Sequence, residues 1–143
     1  MAKVKTILVP VDFEPASDRA LALAREIGEP VGAKIVLVHV CDTLPYVYPD
    51  MPPAFVAETA AAMRQAAEKS LAEYAAKNGG PDAILREGKA WSGLLDAIDE
   101  LSPWLVVMGT HGRRGVKRLV LGSVAERVVR ESKVPVVTVH PGD

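Results

Sequence analysis

Residues 108–123, MGTHGRRGVKRLVLGS, place four glycines and four basic side chains in sixteen positions directly after an apolar run. Glycine carries no Cβ, so main-chain N–H groups there can close on a ligand. Two residues separate Gly109 from Gly112, nine separate Gly112 from Gly122, and Ser123 follows. Gly122 and Ser123 stand where the next helix begins, and a helix N-terminus offers free N–H donors and roughly half a positive charge. Arg113, Arg114, Lys117 and Arg118 lie between, with no acid from Leu105 to Ala125. Together these features compose a site for an anion, a phosphate above all.

Familiar phosphate and hydrolase signatures are missing. No stretch has the G-x-x-x-x-G-K-[ST] of a P-loop, the first strand is followed by VPVDFEPAS without a G-x-G-x-x-G, and no G-x-S-x-G occurs. The elements that would position the glycines therefore have to be read from the periodicity of the chain.

TILVPV (6–11) and KIVLVHV (34–40) are short apolar runs rich in β-branched residues, the pattern of strands buried on both faces. Between them Ser17 can cap a helix over DRALALAREI, whose Ala20, Leu23, Ala24 and Ile27 share one side, ending at Gly28 and Pro30. After the Pro-rich DTLPYVYPDMPP, a long helix from Ala54 to Asn78 carries Val56, Ala60, Met63, Ala67, Leu71 and Tyr74 at steps of three and four. AILREG is a third strand, SGLLDAIDEL a helix, WLVVMG a fourth strand, SVAERVVRES a helix and PVVTVH a fifth strand. Strands alternating with helices imply right-handed βαβ units, hence a single α/β domain (1–143) with an open parallel sheet and helices on both faces. With strand order 3-2-1-4-5, ligands bind beyond the carboxyl ends of strands 1 and 4, where the order reverses. There the chain brings Asp12 of PVDF opposite MGTHGRRG, a carboxylate for ribose or base beside glycines for phosphate. These are the ingredients of a nucleotide grip.

Composition narrows the class further. A chain of 143 residues can bury about 70% of its unfolded surface, and 49% hydrophobic with 24% charged residues is that of an ordinary globular protein. The net charge of −1 supplies no field for a polyanion, so nucleic acid is not the expected partner. One cysteine, Cys41, excludes an intrachain disulfide, and its place at the end of an apolar run suits a buried, inert thiol. No run reaches the ~20 apolar residues of a membrane span, and the N-terminus lacks a signal-peptide core. The expected location is cytoplasmic.

MGTHGRRGVKRLVLGSVAERVVRESKVPVVTVHP, with ILVPVDFEPASDRAL and KIVLVHV, resembles the ATP-binding branch of the universal stress protein family. The resemblance covers essentially the whole chain, and G-x2-G-x9-G-[ST] is matched by Gly109, Gly112, Gly122 and Ser123. It implies a Rossmann-like fold of the adenine nucleotide alpha hydrolase type. Pro10, Val11 and Asp12 would then flank adenine and ribose, with Val40 packed on the base. Met108 and Gly109 would line the ribose, His111, Gly112 and Arg113 would lie beside the phosphates, and Gly122, Ser123, Val124 and Ala125 would hold them from the helix end. It further implies ATP, ADP or AMP as ligand, with or without Mg, and a homodimer paired through the last strand (135–140), an apolar edge that would otherwise invite aggregation.

Plainer roles compete for several of these residues. Ser123 and Glu126 also spell a capping box, and Asp12 could orient the start of the first helix. His39, inside an apolar strand with no second ligand nearby, reads as a core residue rather than a metal ligand. Trp91 and Trp104 read as packing. Among the basic residues only Arg113 is assigned to phosphate; Arg114, Lys117 and Arg118 read at least equally as solvated. A nucleotide-dependent regulatory homodimer is the favoured function. The alternative is a slow ATPase or phosphotransferase, which needs a water-positioning residue and a metal-holding acid near the γ-phosphate; with Asp12 committed to the nucleoside, His111 is the remaining candidate. A receiver-like phosphoacceptor domain fits less, since Asp12 stands alone after strand 1.

Overall fold

The computed structural model describes residues 3–42, 49–110 and 121–140. Its elements are β1 (Thr6–Pro10), α1 (Pro15–Gly28), β2 (Lys34–Cys41), α2 (Pro53–Lys77), β3 (Asp82–Glu87), α3 (Ala90–Leu101), β4 (Leu105–Gly109), α4 (Ser123–Glu131) and β5 (Val136–Val139), with a 3-10 turn at Glu29–Val31. The strands form one sheet in the order β3-β2-β1-β4-β5. All four pairings are parallel, with Ile7 opposite Ile35 on one side and Leu105 on the other. This is the α/β architecture and strand order that the alternating periodicity predicts.

The apolar runs are continuous because both faces of the sheet are covered. Ile7, Val9 and Leu37 pack with Ala20, Leu21 and Ala24 of α1 and Leu71 of α2. Leu8, Val38 and Val106 point the other way, onto Leu94 and Ile98 of α3 and Val128 of α4. Right-handed crossovers dictate this division, since α1 and α2 serve the steps from β1 out to β3 whereas α3 and α4 serve the return across the sheet. Each such aliphatic side chain, fully buried, contributes roughly 1.5–3 kcal/mol, and the sheet is fixed chiefly by them.

Three local expectations are corrected. α1 begins two residues before Ser17, at Pro15, whose ring presets the first helical φ. Glu14 occupies the N-cap position without a side-chain cap bond, so Ser17 sits buried within the helix rather than capping it. α2 follows the predicted spacing, but only Leu71 and Ala75 are buried; in its first half Val56, Ala60, Met63 and Ala67 are partly covered and none is fully buried. Trp104 is 39% exposed beneath the Lys5 ammonium, 5.1 Å from its ring, whereas Trp91 packs against α4 under the Arg127 guanidinium at 3.6 Å.

Candidate functional site

β1 lies between β2 and β4, and the helices that follow β1 and β4 pack on opposite faces of the sheet. A cleft of about 570 Å³ opens above the carboxyl ends of these strands. That volume lies within the range of small-molecule sites. The cleft has three parts: a carboxylate turn after β1, an apolar floor from β2, β4 and α3, and the N-terminus of α4.

The carboxylate turn is tied down at every residue. Val11 N–H donates to the Val38 carbonyl at 2.8 Å, prolonging the β1–β2 ladder by one bond. The Val11 carbonyl accepts from His39 Nδ1 at 2.7 Å. Asp12 N–H donates to Ser17 Oγ at 2.9 Å, and Asp12 Oδ1 in turn accepts from the Ser17 hydroxyl at 2.6 Å and from Glu14 N–H at 3.0 Å. Asp12 does therefore orient the start of α1. Among the described residues both bonds fall on Oδ1, which leaves Oδ2 able to accept from a ligand hydroxyl or amine. Phe13 follows with φ of 68°, a backbone that side chains rarely adopt. Its ring lies 4.6 Å from that of His39 and 5.7 Å from that of Tyr74. The Tyr74 hydroxyl donates to Asp18 Oδ1 at 2.7 Å, and burial, then that carboxylate, pushes its ionisation well above the usual phenol range.

The floor is built from Val38, Val40, Leu94 and Met108. Val40 is held in place because Gly93 of α3 lies against it; a Cβ on Gly93 would meet Val40 Cγ1 at 2.7 Å. An apolar slot of this kind suits a flat, poorly hydrated ring face. Cys41, at the end of β2, is buried, and burial, then Glu87 and Asp42, raises its thiol above the ordinary value. The burial that its place in the sequence suggests is thus present, and the raised thiol disfavours the reactive thiolate.

The opposite wall is set by Gly109, Thr110 and the start of α4. A Cβ on Gly109 would stand 2.7 Å from the Ala16 Cβ, so this glycine admits α1 against the end of β4. Thr110, 2% exposed, donates its N–H to the Val139 carbonyl at 2.9 Å and accepts from Gly122 N–H at 2.8 Å. It thereby fastens the end of β4 to β5 and to the first residue of the α4 approach. Gly122 is the N-cap, in extended conformation, with no side-chain cap bond. The expected capping box is absent: Ser123 is the first helical residue, and Glu126 Oε1 instead accepts from Arg130 at 2.9 Å. The first intrahelical bond runs from Glu126 N–H to the Gly122 carbonyl. The N–H groups of Ser123, Val124 and Ala125 precede it and have no partner within the helix. They face the cleft with the positive end of the helix behind them.

Pro10, Val11, Asp12, Val40, Met108, Gly109, Gly122, Ser123, Val124 and Ala125 all line this cleft. His111, Gly112 and Arg113, with the remaining basic residues of that stretch, lie outside the described residues. The sequence reading missed Ala16, Ser17, His39, Leu94 and Thr110, which also border it. For Ser17 a signal existed in Pro15, which starts the helix early; for His39 and Thr110 the partners lie about thirty residues away in sequence. A flat apolar slot, a carboxylate oxygen and a cluster of N–H donors can together hold a ligand with a ring, hydroxyl groups and an anionic end.

The chain matches the universal stress protein family over residues 3–140. It is 36% identical over 138 residues to the universal stress protein in the QAH/OAS sulfhydrylase 3' region of Thermus aquaticus, an alignment covering 95% of this chain and 98% of that one. In fold it is similar to the hypothetical protein MJ0577, with a TM-score of 0.78 at 23% identity over 97% of both chains. A universal stress protein in complex with cAMP aligns with a TM-score of 0.57 at 26% identity, over 99% of this chain and 100% of that one.

Proposed function

This chain belongs to the universal stress protein family, and from that premise we propose that it is a regulatory protein of the stress response whose switch-point cleft binds an adenine nucleotide. The observation that carries the reading is the order of chemistry along the cleft: apolar floor, free Oδ2 of Asp12, then the N–H groups of Ser123, Val124 and Ala125. That order matches base, ribose and phosphates. A similar protein in complex with cAMP supports the adenine nucleotide class. ATP is the preferred ligand, with ADP and AMP using the same base and ribose contacts and Mg carried on the phosphates. Val40 and Met108 pack the base, Pro10 and Val11 border it, and Asp12 accepts from the nucleoside. On the strength of the family resemblance, His111, Gly112 and Arg113 complete the phosphate grip. The active unit is a homodimer joined along β5, whose described pairing is on one side only, to β4.

Denaturing the purified protein and separating the released small molecules tests the ligand class, and calorimetry with ATP and Mg tests affinity. Micromolar binding is expected, and Asp12→Ala should weaken it about 10- to 100-fold, the worth of hydrogen bonds to a charged acceptor. Absence of both copurified nucleotide and calorimetric binding would end the reading. Phosphate release at rates far above slow background would instead favour the ATPase alternative. Sedimentation at micromolar concentration should return the dimer mass.

A further inference from the structure

The carboxylate turn contains a support that no ligand contact requires. His39 shares a face with Leu37 and alternates with Val38 along β2, placing its ring on the α1/α2 side of the sheet, where Phe13 also packs. From that side its Nδ1–H reaches the Val11 carbonyl at 2.7 Å, the peptide that leads directly into Asp12. Phe13, the next residue, holds a left-handed backbone at φ 68° although it has a large side chain. Such a conformation persists only where its surroundings over-determine it. Here the surroundings are the His39 and Tyr74 rings, with Tyr74 itself held by Asp18. Asp12 is thus bracketed, on one side by a carbonyl fixed by His39 and on the other by a strained residue wedged between two rings.

We propose that His39 is a positioning residue for the nucleoside carboxylate: its hydrogen bond to the Val11 carbonyl and its contact with Phe13 aim Asp12 at the cleft. The inference rests on the reading of Asp12 as a nucleotide contact, and it goes beyond that reading by assigning a role to a side chain that acts through Asp12 rather than on the ligand. The Ser17 hydroxyl and the Asp12 carboxylate lock each other, but that lock orients Asp12 only relative to α1. The His39 bond is the side-chain link that fixes the same turn to the sheet. Asparagine at position 39 can place an N–H donor near the position of Nδ1, whereas leucine fills the volume without a donor.

Two measurements decide it. In the ligand-free protein, His39→Leu should speed amide hydrogen exchange at Asp12 and Glu14 about tenfold, leaving the Leu8 and Val107 amides protected, and His39→Asn should restore slow exchange. With ATP and Mg, His39→Leu should weaken binding about tenfold and His39→Asn by less than about threefold, as for one hydrogen bond lost or kept. In an Asp12→Ala background the His39→Leu loss should vanish, because His39 acts through Asp12. Unchanged exchange at Asp12 and Glu14 in His39→Leu would overturn the proposal, as would an equal affinity loss with and without Asp12. Should the parent protein fail to bind nucleotide, the reading of the cleft falls while the exchange data still decide the role of His39.

Discussion

The two ends of the cleft are built on opposite principles. At the carboxylate end, Val11, Asp12 and Glu14 commit backbone or side-chain groups to hydrogen bonds with β2, α1 and one another, and Phe13 packs against the His39 and Tyr74 rings. At the α4 end, Gly122 N–H is fastened to Thr110, and the next three N–H groups have no partner within the helix. Among the described residues, one end is closed on itself and presents a single oxygen, and the other presents a row of donors. A preformed acceptor selects the shape of what enters, and open donors supply charge attraction to whatever anion follows. The same contrast divides the glycines of the G-x2-G-x9-G-[ST] spacing. Gly109 is demanded by the protein, since a Cβ would strike Ala16. Gly122 has φ of −63° and ψ of 163°, a backbone open to any residue, so its conformation does not demand a glycine.

That division can be broken by substitution. Gly109→Ala forces Ala16 away from the end of β4 and should cost about 2 kcal/mol of stability, as core overpacking does. A fall in melting temperature of about 5–8 °C is the corresponding calorimetric signal. Gly122→Ala should leave the melting temperature within about 2 °C yet weaken nucleotide binding about tenfold, since a methyl group then stands before the helix N–H groups. Equal thermal losses in both variants would erase the distinction between the two glycines.

Alkaline pH probes the closed end and its neighbour Cys41. Tyr74 and Cys41 ionise less readily in the folded chain than at their ordinary values of 10.0 and 9.0. The unfolded chain therefore sheds these protons first as pH rises, the folded state holds more of them, and stability must fall. Their contribution is complete below about pH 9 and is lost progressively above it. Denaturant midpoints between pH 7 and 11 should decline from about pH 9 onward, and Tyr74→Phe should make the decline shallower. Smallest of all is the expected effect of Ser123→Ala. Loss of a capping serine costs about 1 kcal/mol, but Ser123 is not the N-cap and makes no cap bond. Its melting temperature should be unchanged within about 1 °C.

The layers of the fold were legible because they rest on local periodicity. Apolar runs at 6–11, 34–40 and 104–109 announce strands covered on both faces, and right-handed crossovers leave little choice of arrangement. The cleft-lining residues were legible for the same reason, since a switch point and a glycine spacing are properties of sequence order. What holds those residues was not. His39 reads as one polar residue in an apolar strand until β2 is placed beside β1, bringing its ring to the Val11 carbonyl. Thr110 has no signature of its own, because its roles are backbone bonds to Val139 and Gly122. The capping box at 123–126 misled because a Ser-x-x-Glu pattern fits equally well when the helix starts one residue earlier and Arg130 claims the glutamate.

The central claim is that an adenine nucleotide spans both ends of this cleft. Titration of the isotopically labelled protein with ATP and Mg, followed by amide resonances, tests it residue by residue. The account predicts saturable shifts at Asp12 and Val40 and at Ser123, Val124 and Ala125 together, with the Trp104 indole at the far end of the sheet unmoved. Resonances that stay fixed at both ends under millimolar ATP, or shifts confined to surfaces away from the cleft, would contradict it.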